Sequence, residues 1–217
     1  MGARGGEVLF TRYGMIFLPA VRSGRGYAAV KRVLDVVIAG VLLLLLSLPM
    51  LLVATVVRAE SPGGAIFRQT RLGRGLRPFT VYKFRTMRVE APHDRPSVRL
   101  GPEERRRYLT RVGRFLRRSG IDELPQLWNV LRGEMSIVGP RPLIPEEREL
   151  HALRAALGAT AVLPGITGLA QTEGRDERTA TEKAYLDAIY ARRQSLLQDA
   201  RILSKTVKTV ISGIGCN

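Results

Sequence analysis

One long apolar stretch stands out in the pattern of hydrophobic and polar positions along the chain. Residues 33–57 (VLDVVIAGVLLLLLSLPMLLVATVV) contain a single charged side chain, Asp35. An apolar stretch of this length is typical of a membrane segment rather than of a helix in a soluble core. It begins too late in the chain, and is too long, for a secretory signal peptide. The pattern therefore predicts a membrane-embedded helix over residues 31–58.

Ser47 and Pro49 lie in the middle of this segment and predict a bend, because proline removes a backbone hydrogen bond and clashes with the preceding turn. At about 1.5 Å per residue, the arms are about 24 Å and about 14 Å long, and neither crosses about 30 Å of hydrocarbon. Basic residues flank both ends, with Lys31 and Arg32 before the segment and Arg58 after it. A spanning helix carries its basic flank mainly on one side. We therefore expect a re-entrant helix, with a spanning helix as the alternative.

Alternating and helical patterns follow the apolar segment. Residues 65–71 (AIFRQTR) and 78–86 (PFTVYKFRT) alternate apolar and polar side chains around a glycine-containing turn, which predicts a β-hairpin. Residues 103–118 have a helical period, with an apolar stripe (Tyr108, Leu109, Val112, Phe115 and Leu116) edged by arginines. Such a helix suits the headgroup layer of a membrane, and a helix packed on a soluble core is the alternative. Further helices are predicted over residues 145–157, 178–194 and 196–212.

These elements predict an α+β, mostly helical fold. A re-entrant membrane helix kinked at Ser47-Pro49 would precede a small β-hairpin and amphipathic interfacial helices around a cytosolic catalytic core. Residues 1–30, rich in glycine and arginine, predict only a basic lead-in that is flexible or lies on the surface. The expected organisation is therefore this lead-in, the membrane helix over 31–58, and a membrane-associated catalytic domain over 59–217.

Composition and charge narrow the choice of partners. The 217-residue chain has 35 Lys and Arg against 19 Asp and Glu, a formal net charge of +16. Arginine forks suit phosphate oxygens, so nucleic acid, anionic lipid and nucleotide substrates are all candidates, although an arginine-rich genome also explains the surplus. The single cysteine, Cys216, excludes an internal disulfide framework and a cysteine-based zinc site. His93 and His151 are too far apart in the sequence to suggest a metal cluster.

Two adjacent carboxylates, Asp122 and Glu123, contrast with this basic background. Pro125 suits the first turn of a helix, and the apolar stripe that follows ends at Gly133, so the two acids lie at or just inside a helix N-terminus. Acids there stabilise the helix dipole by roughly 0.3–1 kcal/mol, and Ser119 with Asp122 resembles a capping box. Helix capping is therefore the structural alternative to a chemical role.

The segment Gly139-Pro140-Arg141-Pro142 favours the chemical role. Flanking prolines hold Arg141 on a stiff loop, which limits the entropy lost when it binds an anion. Helix N-termini bind phosphates as well. Carboxylates beside phosphate-binding arginines suit phosphoryl transfer, in which one carboxylate attacks phosphorus and the other holds a divalent metal.

Four motifs follow one another along residues 30–212. They are the Ser47-Leu48-Pro49 segment preceded by KRVLD, FRQTRLGR followed by YKFRTM, SGIDELPQLWNVLRGEMSIVGPRPL, and LPGITGLAQTEGR followed by YLDAIYARRQSLLQDARIL. In this order they resemble the bacterial sugar transferases, the small monotopic phosphoglycosyl transferases that act on polyprenol phosphate, and the third motif is highly specific.

The resemblance implies a reaction. Such enzymes move a sugar-1-phosphate from a UDP-sugar to polyprenol (undecaprenyl) phosphate and release UMP, by a ping-pong mechanism through an acyl-phosphate on an aspartate. By motif, Asp122 would be this nucleophile, and Glu123 would bind Mg²⁺ or assist proton transfer. An unperturbed Asp has a pKa of about 3.9, so we expect Asp122 to be ionised at neutral pH without further help. Substrate and phosphate contacts are implied for Lys83, Arg117, Arg141, Gln171 and Arg175.

The resemblance also implies a location and a pathway. It indicates the cytoplasmic face of the bacterial inner membrane, no nucleic-acid partner, and the first membrane step of surface glycan, exopolysaccharide or glycoconjugate assembly. The sequence leaves open which sugar is transferred and whether the chain forms a homo-oligomer.

Departures from the family pattern concern the fourth motif. Leu163 replaces the usual basic residue before Pro-Gly, and LAQTEGRD stands where relatives often have WAQVNGRN. A structural loop hydrogen bond is therefore an equal alternative for Gln171. Two other functions compete: an arginine-rich, membrane-anchored binder of anionic lipid or nucleic acid without catalysis, and a polyprenol glycosyltransferase that moves a sugar without its phosphate.

Overall fold

The computed structural model describes residues 6–11, 14–19, 25–92, 101–174 and 178–212, with the backbone alone for 6–11, 14–19, 25, 102, 105 and 211–212. Most of this part of the chain is helical. The strands form three two-stranded sheets and are β1 (Gly6–Thr11), β2 (Gly14–Pro19), β3 (Ile66–Leu72), β4 (Pro78–Phe84), β5 (Ser136–Val138) and β6 (Gly165–Thr167). The helices are α1 (Arg25–Leu45), α2 (Ser47–Glu60), α3 (Pro102–Tyr108), α4 (Arg111–Ser119), α5 (Gln126–Arg132), α6 (Arg148–Ala156), α7 (Leu169–Thr172), α8 (Ala180–Arg192) and α9 (Leu196–Ser212).

The apolar segment forms the bent helix pair α1 and α2, whose axes meet at 63°. The break lies at Leu46, where the Ser47 hydroxyl donates to the Leu44 carbonyl at 2.8 Å. Pro49 falls in the first turn of α2, where its missing N–H costs no helical hydrogen bond. The predicted kink at Ser47 and Pro49 is confirmed, although the helical stretch extends from Arg25 to Glu60 rather than over 31–58. No single helix of the described residues is long and apolar enough to cross a bilayer, whereas the bent pair together is.

Charged residues near the start of α1 bind this helix to the rest of the protein. The Arg32 guanidinium donates to the Val130 and Leu131 carbonyls at 2.7 and 3.0 Å, at the C-terminal end of α5. Asp35, only 4% exposed, accepts from the backbone N–H of Ile137 in β5 at 3.0 Å. These contacts explain why a carboxylate occurs in an apolar segment: it satisfies a strand N–H that would otherwise be buried without a partner.

A second set of polar contacts joins α1 to α8 and α9. The Asp199 carboxylate accepts from the Tyr27 hydroxyl at 2.9 Å and from the Lys31 ammonium at 2.8 Å. The buried Tyr190 hydroxyl also lies 2.9 Å from Asp199, and 2.9 Å from the Val138 carbonyl in β5. Burial, followed by the charge of Asp199, raises the pKa of Tyr190, so its proton stays in this network.

The predicted β-hairpin is confirmed as the antiparallel pair β3 and β4, which surrounds a turn at Arg74–Leu76. In its register Phe67 lies opposite Lys83, and Arg71 lies opposite Phe79. The buried Val81 shows that this face of the hairpin packs on the core. Lys83 and Arg71 therefore point to the same side of the sheet.

The single helix expected over 103–118 is wrong, because α3 and α4 are separate. The Thr110 hydroxyl accepts from the Gly113 N–H at 2.9 Å, and the Glu60 carboxylate accepts from the Arg111 N–H at 2.7 Å, so α4 has caps of its own. The expected shared apolar face also fails, since Leu116 is buried while Phe115 is 63% exposed. The helices expected over 145–157, 178–194 and 196–212 are present as α6, α8 and α9.

The lead-in contains an element that the sequence pattern did not predict. β1 and β2 pair in antiparallel fashion, with Gly6 opposite Pro19 and Thr11 opposite Gly14. Their apolar residues run together rather than alternating with polar ones, so they carry no period-two signal.

Candidate active site

Asp122 and Glu123 lie in a short 3-10 turn (Ile121–Glu123) between α4 and α5. Gly120, at φ 72°, ends α4 in the left-handed region, and α5 begins at Gln126 and ends at Gly133. The predicted capping box is wrong, because no side chain caps α5 and the Ser119 hydroxyl instead donates back to the Phe115 carbonyl. The two carboxylates are therefore just outside the helix and make contacts elsewhere.

Glu123 is the centre of a three-residue ion-pair cluster. Its Oε1 lies 2.6 Å from the Lys83 Nζ of β4 and 3.2 Å from the Arg141 Nη1 of the loop after β5. Burial alone would raise the pKa of Glu123, but Lys83 and Arg141 outweigh it and hold the pKa well below its usual range. Glu123 is therefore ionised at any working pH and holds two of the predicted phosphate-binding side chains in place.

Asp122 has the opposite electrostatic environment. Its side chain is buried, with 9% of the residue exposed, and burial raises the pKa of the carboxyl to about 6, reinforced by Glu123 and opposed by Lys83, Arg117 and Arg141. The pKa of Asp122 is therefore higher than the ordinary value of about 3.9, but the expectation that Asp122 is ionised at neutral pH still holds. At pH 7, a group with this pKa is about nine-tenths ionised, and the ionised carboxylate is poorly solvated and correspondingly reactive.

Arg117 approaches the pair from the last turn of α4. Its Nε donates to the Thr86 hydroxyl at 2.8 Å, and its charge lowers the pKa of Asp122. The structure thus brings Lys83, Arg117 and Arg141 together around the two acids, as the sequence predicted. A cavity of about 1240 Å³ opens over them, and its wall includes all five side chains. This volume is ample for a nucleotide-sized ligand.

Three glycines fix the loop that carries Arg141. The Gly139 N–H donates to the Thr167 carbonyl at 2.8 Å, and the Gly165 N–H donates to the Pro140 carbonyl at 2.9 Å. A Cβ on Gly165 would lie 2.0 Å from the Gly139 nitrogen, and one on Gly168 would lie 2.1 Å from the Gly139 oxygen. The backbones of the third and fourth motifs therefore touch directly, which only glycine permits.

A buried ion pair supports the same loop from behind. Arg154 of α6 donates through Nε to the Asp187 Oδ2 of α8 at 2.8 Å, and through Nη1 to the backbone carbonyl of Arg141, also at 2.8 Å. Both side chains are buried. Sequence analysis missed them, although an aspartate between the apolar residues of YLDAIY was a usable signal for a buried charge that needs a partner.

The fourth motif gives a mixed outcome. Gln171, in α7, lines the cavity, but its amide nitrogen donates to the Ile166 carbonyl at 2.9 Å, as the loop alternative predicted. Its buried amide oxygen has no partner among the described residues. Arg175 lies outside the described residues, so its predicted role stays a prediction.

The donor atoms at the site suit a divalent cation only in part. The described residues contain no group of three or more His, Cys, Asp or Glu side chains that could hold a metal. Mg²⁺ is often held by one or two carboxylates together with substrate phosphates and waters. Glu123, beside Asp122, fits that role when a phosphate-bearing substrate completes the coordination, since both of its cationic partners contact the same oxygen.

Comparison with known proteins identifies a family and individual relatives that this chain resembles. Residues 26–213 match the family model described as bacterial sugar transferase. The chain is 43% identical, over 84% of its length and 70% of the relative's, to the UDP-glucose:undecaprenyl-phosphate glucose-1-phosphate transferase of Caulobacter vibrioides. It is 41% identical to the uncharacterized sugar transferase EpsL of Bacillus subtilis, covering 85% of this chain and 89% of that protein.

Other relatives are longer and differ in the sugar that they are named for. The UDP-N-acetylgalactosamine-undecaprenyl-phosphate N-acetylgalactosaminephosphotransferase of Aeromonas hydrophila is 36% identical over 87% of this chain, which spans 45% of it.

Proposed function

The chain belongs to the bacterial sugar transferase family, and we propose that it transfers a sugar-1-phosphate from a UDP-sugar to undecaprenyl phosphate with release of UMP. The observation that carries the proposal is the pair of adjacent carboxylates, Asp122 and Glu123, which line one cavity and whose pKa values are shifted in opposite directions, upward for Asp122 and downward for Glu123. One is suited to attack phosphorus and the other to hold cations. Relatives named for UDP-glucose and undecaprenyl phosphate support the donor and acceptor classes.

The first half-reaction uses Asp122 as the nucleophile. Its carboxylate oxygen attacks the phosphorus that bears the sugar, the bridging phosphorus–oxygen bond breaks, and UMP leaves with the electron pair. Lys83, Arg117 and Arg141 surround the carboxylate and would stabilise the charge that spreads over the phosphoryl oxygens. No proton has to move, because Asp122 is already ionised at neutral pH.

The second half-reaction returns the enzyme to its starting state. An oxygen of the lipid phosphate attacks the same phosphorus, and Asp122 departs as a carboxylate, so that the product is a lipid diphosphate sugar. A bound Mg²⁺ would neutralise charge on the phosphate oxygens, with Glu123 as the residue that would hold it. Glu123 also keeps Lys83 and Arg141 within reach of the substrate at both steps.

The proposed setting is the cytoplasmic face of the bacterial inner membrane, with the bent pair α1 and α2 entering the bilayer and returning. Large apolar side chains around the bend are highly exposed, as expected for contact with lipid: Leu44, Leu45, Leu48, Leu51 and Leu52. The bent geometry suits a protein that must bring a lipid phosphate and a soluble nucleotide to one carboxylate. The reaction would begin the assembly of a surface glycan, exopolysaccharide or glycoconjugate.

Pro49→Ala is expected to shift the topology toward a spanning helix. Proline in the interior of a straight helix costs about 3 kcal/mol, and alanine removes that cost. Single cysteines introduced at Gly26 and Arg58, in a chain whose Cys216 is replaced by serine, report which side each end occupies. In the variant, Gly26→Cys should lose reactivity toward a cytoplasmic thiol reagent, whereas Arg58→Cys should keep it, because Arg58 directly precedes the catalytic domain. Unchanged labelling at both positions would contradict the bend argument.

The test of the function is nucleotide release. Purified protein with undecaprenyl phosphate, Mg²⁺ and a panel of UDP-sugars should release UMP, and the panel identifies the sugar. Release of UDP would indicate transfer of a sugar without its phosphate. Binding to anionic vesicles or nucleic acid, falling steeply with salt and without any nucleotide release, would indicate a non-catalytic binder. With donor alone, the peptide that contains Asp122 should gain the mass of the sugar phosphate.

The rate of the first half-reaction should fall at mildly acidic pH. Because the pKa of Asp122 is about 6, the reactive carboxylate is lost as pH falls through 6, and kcat/KM should drop about tenfold per pH unit below it. The measurement is kcat/KM for the donor between pH 5 and pH 8.5. A profile that is flat down to pH 5 would show that Asp122 titrates like an exposed aspartate and would contradict the effect of burial.

A further inference from the structure

The hairpin contributes a second cation to the cavity besides Lys83. Arg71 lies in β3 opposite Phe79, on the face of the sheet that also carries Lys83, and both side chains line the cavity. Lys83 is neutralised by Glu123 at 2.6 Å. Arg71 has no such short carboxylate contact in the described part of the chain, so its place in the site needs a separate explanation.

Two hydrogen bonds hold the Arg71 guanidinium beside the Arg141 loop. Its Nη1 donates to the Pro142 carbonyl at 3.2 Å, and its Nη2 donates to the Gln69 Oε1 at 2.6 Å. A guanidinium carries five N–H donors in a planar fork, so these contacts fix its orientation and still leave donors for a ligand. A side chain that is already fixed in this way loses little entropy when it binds an anion.

The charges around Arg71 also favour an anionic ligand. Burial, followed by repulsion from Arg141, lowers the pKa of Arg71 to about 10, while Glu147 and Glu123 oppose the fall. Arg71 therefore stays positive at neutral pH beside another arginine. Two like charges held together at a partly buried site repel each other, and an anion placed between them removes that cost.

The position of Arg71 relative to the nucleophile indicates which anion. Lys83, Arg117 and Arg141 all act on the charge of Asp122, so they surround the phosphorus that is attacked. Arg71 instead binds the carbonyl of Pro142, the residue after Arg141, so it lies beside the Arg141 loop in the wall of the same cavity. A diphosphate that presents one phosphorus to Asp122 would bring its other phosphate to this second position.

We propose that Arg71 binds the phosphate of the departing nucleotide and stabilises UMP as it leaves. The inference rests on the proposed function. When the bond from Asp122 to phosphorus forms and the bridging phosphorus–oxygen bond breaks, the electron pair goes to the UMP oxygen. The UMP phosphate thereby gains one negative charge, and a fixed guanidinium stabilises it more strongly than it stabilises the intact donor.

The test compares UMP with uridine, which differ only in the phosphate. Isothermal titration of the detergent-solubilised full-length chain should give an affinity of Arg71→Gln for UMP about 10- to 100-fold weaker than wild type, and an unchanged affinity for uridine. Arg71→Lys keeps the charge and should recover part of the loss. Arg74→Gln removes an equal charge from the exposed turn of the same hairpin and should behave as wild type.

The possible outcomes separate the inference from the function on which it rests. Equal UMP affinity in wild type and Arg71→Gln overturns the inference, and UMP release by the wild type would leave the proposed function intact. Equal losses for UMP and uridine also overturn it, because they indicate that Arg71 only positions the loop through Pro142. If Arg71→Gln does not fold, the same comparison with Arg71→Lys decides. No nucleotide release by the wild type from any UDP-sugar would refute the proposed function itself.

Discussion

Replacing Asp122 by asparagine should reduce UMP release by about 10⁴-fold or more, the scale of loss expected when a covalent nucleophile is removed. The amide keeps the shape of the side chain and the contacts of the 3-10 turn, but it cannot form the acyl-phosphate bond. The measurement is single-turnover UMP release with donor alone, together with the mass of the peptide that contains residue 122. Lys83, Arg141 and Glu123 remain in place, so binding of the donor should change far less than the rate.

The same substitution should make the protein more stable at neutral pH. The folded-state pKa of Asp122 is raised to about 6, so the folded protein holds this proton more tightly than the unfolded chain does. The resulting stability is present below pH 4 and is lost as pH rises through 6. Asparagine avoids the loss and should raise the free energy of unfolding at pH 8 by up to about 3 kcal/mol, with no gain at pH 4.

UMP release and the free energy of unfolding, measured on the same variants, test whether activity is lost while stability is gained. Glu149→Gln makes the same change of acid to amide on the exposed side of α6, in its first turn, so it should leave UMP release unchanged and alter the free energy of unfolding by less than about 1 kcal/mol. Near-normal UMP release by Asp122→Asn would refute the role of nucleophile. Lost activity together with lost stability would instead mean that Asp122 is a structural residue.

Replacing Arg154 by methionine should lower the free energy of unfolding by about 3–5 kcal/mol, because it leaves Asp187 charged and buried without a partner. Burial already raises the pKa of Asp187, and Arg154 opposes that rise. The measurement is the urea midpoint of the detergent-solubilised protein. UMP release should fall as well, because Arg154 also holds the backbone carbonyl of Arg141 at 2.8 Å.

A double variant separates the two roles of this pair. Arg154→Met with Asp187→Leu replaces both charges by apolar side chains and should recover most of the stability, since such replacements of buried pairs are often neutral. It does not restore the hydrogen bond to Arg141, so the rate of UMP release should stay low. Recovery of both properties would mean that the ion pair serves the fold alone.

Local patterns in the sequence predicted the elements that local physics determines. The period-two alternation correctly predicted β3 and β4, Pro49 predicted the bend, and Gly133 predicted the end of α5. The GPRP segment indicated an arginine close to the paired acids, and Arg141 does lie 3.2 Å from Glu123. These signals suffice because strand alternation, helix bends and helix ends each depend on a few neighbouring residues.

Contacts between distant parts of the chain were not predictable in this way. The sequence alone gives no reason to expect a raised pKa for Asp122, because the shift comes from burial. Arg154 and Asp187 form an ion pair although they are 33 positions apart in the sequence. The glycines of the fourth motif look like turn residues, whereas Gly165 is required because another backbone touches it. Burial and close approach depend on the whole fold, so a single sequence contains no direct record of them.

The anchoring of α1 has a mechanical consequence for the proposed membrane enzyme. Arg32 binds the end of α5, Asp35 binds β5, and Lys31 binds α9, so the first half of α1 is attached to the core at three points. In a thinner or thicker bilayer, α1 and the attached core would therefore have to change their tilt together. This change of tilt would alter the height of Asp122 above the lipid phosphates. The rate of transfer would therefore depend on the thickness of the bilayer.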